Sequence, residues 1–148
     1  MSYSPASVFD VAQYILKIHG PVSAMKLQKL VYYAQAWSLV WDESPLFNER
    51  IEAWISGPVV PELFRIHKGK YLLTEHDFDR GNWKNLNDIQ KETVNKILEF
   101  YGDKNSQWLS DLTHMEEPWK KARRGLAPNE RGDQEITHAS MQEYYSSL

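Results

Sequence analysis

Ala24-Met25-Lys26-Leu27-Gln28-Lys29-Leu30-Val31-Tyr32-Tyr33-Ala34-Gln35-Ala36-Trp37-Ser38-Leu39-Val40-Trp41 is the stretch that decides the fold. Ser23 precedes it as an N-cap. Leu27, Leu30, Val31, Ala34 and Ser38 recur at helical spacing and form one stripe. Lys26, Lys29 and Gln35 fall outside that stripe, while Tyr33, Trp37 and Val40 widen the apolar surface. A helix apolar over most of its circumference belongs at the centre of its fold.

The flanking elements follow from local signals. Ser4 is placed to cap a first helix, with Pro5 at its first position, where a missing N–H costs nothing. Val8, Phe9, Ala12, Ile15 and Leu16 give that helix its stripe, and Gly20-Pro21 stops it. Beyond the central helix, Pro45-Leu46-Phe47 and Ile51-Glu52-Ala53-Trp54 read as two short strands around a turn at Asn48-Glu49-Arg50. Ser56-Gly57-Pro58 is a second turn, and Pro61 opens a third helix that runs to about Lys68. Tyr71 to Asn85 has no period and reads as loop. Asn87 and Gln90 form a capping-box start for a helix that carries Val94, Ile97 and Leu98 and ends at Gly102. Ser106 caps a helix from Gln107 to Met115, Pro118 begins a short helical turn, and Thr137 caps the last helix after a polar loop, Gly125 to Glu135. The expected fold is mainly α: a compact bundle of about six helices with one small β-hairpin, forming one domain over residues 1–148.

Composition narrows the function classes. The chain has no cysteine, which excludes disulfides, thiolate metal sites and a cysteine nucleophile, and fits a reducing compartment. No apolar run reaches the length of about 18 residues that suggests a membrane span. The N-terminus lacks a basic region followed by an apolar block, so the expected address is the cytoplasm. Net charge is −3, whereas a dedicated nucleic-acid binder is usually basic. Aromatic residues reach 13%, with six Trp and eight Tyr, a surplus that serves cores and binding surfaces alike.

Catalytic patterns are missing. Five histidines are present, but at most two candidate metal ligands come together: His114 and Glu117 at a helical spacing of three. No serine lies in a Gly-x-Ser-x-Gly elbow, and the glycines form no phosphate loop. The pairs Glu116-Glu117 and Asp77/Asp79 read as solvated surface. The run Lys120-Lys121-Ala122-Arg123-Arg124 is the best nucleic-acid candidate, yet a solvated helix face explains it better. An inward-facing Arg123 would pair with a buried carboxylate. No metal and no cofactor is expected.

Two stretches exceed generic composition: Met25 to Ala36, and Ile51-Glu52-Ala53-Trp54-Ile55-Ser56-Gly57-Pro58-Val59-Val60-Pro61-Glu62-Leu63. With Leu112-Thr113-His114 and Pro118-Trp119, they resemble the Panacea domain of SocA-like antitoxins and of GepA-type phage-associated proteins, in order and spacing, over roughly Ser7 to Tyr145. The resemblance implies a mainly helical domain without catalytic activity. It also implies neutralisation, by direct binding, of a protein toxin encoded by a neighbouring gene. Some SocA-like members are thought to deliver their toxin to a bacterial protease. Many relatives carry an extra DNA-binding or other domain, and none is expected within these 148 residues.

The expected partner-binding residues are Lys26, Lys29, Tyr33, Trp54, Ser56 and Pro58, displayed on the central helix and on a rigid Gly/Pro turn. For His114 and Trp119 the expectation is structural: an imidazole bridging backbone groups and a packed indole. The leading expectation is an antitoxin that holds its toxin sterically. The alternative is a proteolytic adaptor tethering a cargo to a protease. A small enzyme, or a nucleic-acid binder using Lys120–Arg124, comes third.

Overall fold

The computed structural model describes residues 4–148. Its helices are α1 (Val8–His19), α2 (Ala24–Trp41), α3 (Pro61–His67), α4 (Asp88–Tyr101), α5 (Ser106–Met115), α6 (Glu117–Ala122) and α7 (His138–Ser146). Four short strands accompany them: β1 (Val22–Ser23), β2 (Glu52–Trp54), β3 (Gly57–Val59) and β4 (Leu72–Leu73). The architecture is mainly helical, as expected. A second small antiparallel sheet, β1 with β4, was not legible, because two-residue strands carry no period.

α2 is the axis, with α1, α4, α5, α7 and β3 packed around it. Its contacts bury Leu27, Leu30, Val31, Tyr32, Tyr33, Ala34, Ala36 and Leu39, and equally Gln28, Lys29, Gln35 and Ser38. Lys29 and Gln35, expected outside the stripe, are therefore interior. A helix enclosed all round buries its polar side chains too, and each then needs a partner.

Gln35 shows the consequence. Its Oε1 accepts from the N–H of Leu46 (2.7 Å) and of Phe47 (3.3 Å), and its Nε2 donates to the Phe47 carbonyl at 2.6 Å. Pro45-Leu46-Phe47 is consequently not a hairpin strand. Ala6 bridges to Phe47, its N–H bonding the Leu46 carbonyl at 2.8 Å, and the Gln35 amide occupies the polar groups a second strand would need. The hairpin instead joins β2 to β3 through Ile55-Ser56, with Trp54 opposite Gly57 and Glu52 opposite Val59.

The first helix starts later than Ser4 and Pro5 suggested. Ser7 is its N-cap, in a capping box with Asp10. Ala6 is already held in extended pairing with Phe47, and this keeps the helix from beginning earlier. Asn105, rather than Ser106, caps α5. Ser23, Asn87 with Gln90, and Thr137 cap their helices as anticipated.

Candidate functional site

The β2–β3 hairpin is a short segment whose carbonyl groups are taken by side chains from three helices, α2, α5 and α6 with its C-cap. Arg123 donates to the Ala53 carbonyl (2.9 Å), the Trp119 indole to Trp54 (2.8 Å), and Ser110 Oγ to Ser56 (2.8 Å). His114 Nε2 lies 2.8 Å from the Ile55 carbonyl. Lys29 Nζ donates to Pro58 at 3.2 Å. The Gln28 amide closes a two-way pair with Val60, accepting its N–H at 2.9 Å and donating to its carbonyl at 3.3 Å. An isolated hairpin is marginal in water. Here six carbonyls are anchored, at about 1 kcal/mol net for an ordinary hydrogen bond. β2 is covered on its other side by the Glu135 bridge and by the bond from Ala53 N–H to the Gln134 carbonyl.

The tip that this scaffold holds is exposed. Ile55 keeps 40% of its surface in solvent. Ser56 is open, and Trp54 is half-buried, edge-on to Phe64 with its indole N–H on Glu52. Beside them lies an open groove of about 550 Å³, lined by Glu52, Trp54, Ile55, Ser56, Arg131, Gly132 and Asp133. Arg131 and Asp133 form no ion pair among the described residues.

The six residues expected to bind a partner divide sharply. Trp54 and Ser56 are at this surface. Lys29, Tyr33 and Pro58 are buried, contrary to the expectation that they are displayed. Lys26 is half-buried, its ammonium donating to the Gly102 carbonyl at the end of α4 (2.6 Å), which His19 also meets. Burial pushes the Lys29 ammonium down to about 7. It also holds the His67 imidazole below its ordinary range, with the Lys29 charge acting in the same direction. His67 accordingly offers Nε2 as an acceptor to Gln28, at 3.0 Å.

Glu116 overturns the solvated reading of the Glu116-Glu117 pair. It is 6% exposed, at the junction of α5 and α6, and its Oε1 accepts from Tyr33 (2.7 Å) and Tyr145 (2.8 Å). Tyr32 completes the chain by donating to Tyr145, at 3.0 Å. Glu117 is exposed and begins α6, so it shares no helical face with His114. Arg123 does face inward, but it binds backbone carbonyls (Ala53, Ala127 and Glu130) and covers the Trp119 ring, with no carboxylate partner among the described residues. Lys120, Lys121 and Arg124 remain exposed, so the basic run is divided. His114 and Trp119 have the structural roles expected of them. No group of three or more His, Asp or Glu side chains suited to a metal occurs among the described residues.

Sequence reasoning assigned no site role to Gln28, and it placed Gln35 outside the apolar stripe and Glu116 in solvent. The available signal was the all-round apolar character of α2, which condemns its own polar residues to burial.

Glu116 carries a measurable consequence. Desolvation raises its carboxyl above the ordinary 4.5, outweighing the two tyrosine bonds that lower it. In that window the folded state binds more protons than the unfolded chain, so stability falls as pH rises from about 4.5 through the folded value. Glu116→Gln should flatten that decline in urea melts taken across the range. Parallel wild-type and variant curves would contradict the assignment.

Comparison with known proteins places these features in context. The family model described as "Antitoxin SocA-like, Panacea domain" matches residues 27–120. The chain is similar to Antitoxin SocA of Caulobacter vibrioides (strain NA1000 / CB15N), 47% identical over 56 residues. That alignment covers 36% of this chain and spans 30% of the length of the relative. No solved structure matches.

Proposed function

The chain belongs to the SocA-like antitoxin family with a Panacea domain, and from that premise we propose that it neutralises a protein toxin by binding it directly through the hairpin tip. The observation that carries this reading is the side-chain scaffold under Ala53–Val60. It fixes an apolar tip, Ile55, beside an open groove, so little conformational entropy is lost on docking. Ile55 and Trp54 supply the apolar anchor, and Ser56, Arg131 and Asp133 supply a polar rim, the usual anatomy of a protein interface. Lys29 and Pro58 act beneath the surface by holding it, Tyr33 holds Glu116 in the core, and Lys26 ties α2 to α4.

The test is co-expression with the toxin gene proposed to lie next door. Ile55→Asp and Ser56→Arg should each weaken binding about thirtyfold, as an anchor loss of about 2 kcal/mol does. Their melting temperatures should stay near wild type, because both side chains point to solvent. Cells rescued as well by these folded variants as by wild type would remove the tip from the interface. A pulse-chase on the bound toxin separates the two modes of action: unchanged half-life supports steric holding, and a shortened one supports an adaptor.

A further inference from the structure

Three lysines converge on one indole on a part of the surface that shares no residue with the hairpin tip. The ammonium groups of Lys17, Lys91 and Lys84 lie 4.9, 5.2 and 5.9 Å from the centre of the Trp83 ring. They come from α1, α4 and the 3-10 turn Trp83–Asn85. Arg80, three residues before Trp83 in the chain, lies 5.3 Å over the Phe9 ring. Among the described residues none of these four cations forms an ion pair, although Asp79 and Asp88 are their neighbours in sequence.

The platform beneath them is built. Asp10, itself 4% exposed, accepts the Asn82 N–H at 2.7 Å. Gln13 donates to the carbonyls of Phe78 and Gly81 and accepts the backbone N–H of Trp83 at 2.8 Å. Gly81 sits so close to Phe9 that an added Cβ would fall 2.4 Å from its carbonyl oxygen. The backbone that carries the indole is thus fixed to α1, the ring lies against Tyr14 at 6.3 Å between centroids, and the lysines gather around it. Each gains a cation–π contact, but together they repel one another. An anion between them would relieve that repulsion.

We propose that the Lys17–Lys84–Lys91 cluster around Trp83, flanked by Arg80, docks an acidic segment of a partner protein. Charge complementarity selects carboxylates. The ammonium groups lie over the indole ring, so it offers no free platform for a nucleobase, which single-strand binders require. The chain is also net −3, which opposes a long polyanion while leaving a short acidic segment free to meet a local basic patch. The site is independent of the hairpin-tip reading.

The full-length protein is titrated with a short fluorescein-labelled oligoglutamate, followed by anisotropy, with an oligo-dT of equal charge as the comparison. The expected result is saturable oligoglutamate binding that weakens with added salt. The triple variant Lys17→Gln/Lys84→Gln/Lys91→Gln should raise Kd at least about tenfold, as loss of three exposed ion pairs predicts. Lys120→Gln/Lys121→Gln should leave it unchanged. Addition of oligoglutamate should also shift the Trp83 indole N–H resonance, a local readout in folded wild-type protein. The proposal is overturned by no saturation at low salt, by equal loss in the Lys120/Lys121 variant, by an unmoved Trp83 resonance, or by tighter binding of oligo-dT.

Discussion

Gly57→Ala should lower the melting temperature by roughly 10 °C, corresponding to about 3 kcal/mol in a domain of this size. Two costs combine. Gly57 closes the Ile55-Ser56 turn at φ +119, a region L-residues rarely adopt and that costs them about 1–2 kcal/mol. A Cβ there would also lie 2.7 Å from Lys29 Cε and 3.0 Å from Thr113 Oγ1. The end of a lysine normally moves aside at little cost. This one is 1% exposed and bonded to the Pro58 carbonyl, so displacing it adds the cost of overpacking, about 1–3 kcal/mol. The two costs can be separated. In the double variant with Lys29→Ala the clash with Lys29 disappears while the backbone strain and the Thr113 contact remain, so the effects should be non-additive by about 1 kcal/mol or more. A Gly57→Ala protein melting within about 2 °C of wild type would contradict this packing.

Lys29→Met should stabilise the protein at mildly acidic pH and bring no gain at alkaline pH. Burial lowers the Lys29 ammonium from 10.5 to about 7. Between those values the unfolded chain holds a proton that the folded chain has released, so wild-type stability rises with pH across that window. Below it, the folded protein must keep a charged amine in its core. That penalty has a ceiling of about 5 kcal/mol for a shift of this size. The methionine avoids it, fills a similar volume, and forfeits about 1 kcal/mol with the Pro58 bond. The net expectation is a gain of about 1–3 kcal/mol near pH 6 that vanishes near pH 10, read from urea melts. If the two proteins keep a constant difference across this range, Lys29 does not titrate as its burial requires. The same residue therefore costs stability at low pH and anchors β3 beneath the proposed binding tip.

Several features of the candidate site were legible and several were not. His114 and Trp119 have the structural duties expected of them, an imidazole bridging backbone carbonyls and an indole bonded to the Trp54 carbonyl. Trp54 and Ser56 were placed at the surface correctly. Lys29, Tyr33 and Pro58 were not: a lysine in a helix predicts solvent until every face of that helix is covered. Glu116 reads as solvated in the sequence because its partner Tyr33 is 83 residues away. The Trp83 cluster escaped notice because Lys17, Lys84 and Lys91 come from three separate elements.

By itself the sequence determined where most helices begin and end, and which of them lies at the centre. Ser23, Asn87 with Gln90, and Thr137 bond to N–H groups within three residues, so the information is local. The tertiary structure decided which strand pairs with which, and whether a polar side chain is buried or free. Gln35 captures the segment at Leu46-Phe47, Ala6 joins it, and β2 is left to fold back on β3. Those choices rest on hydrogen-bond partners that meet only after the chain has packed around α2, and no periodicity records them.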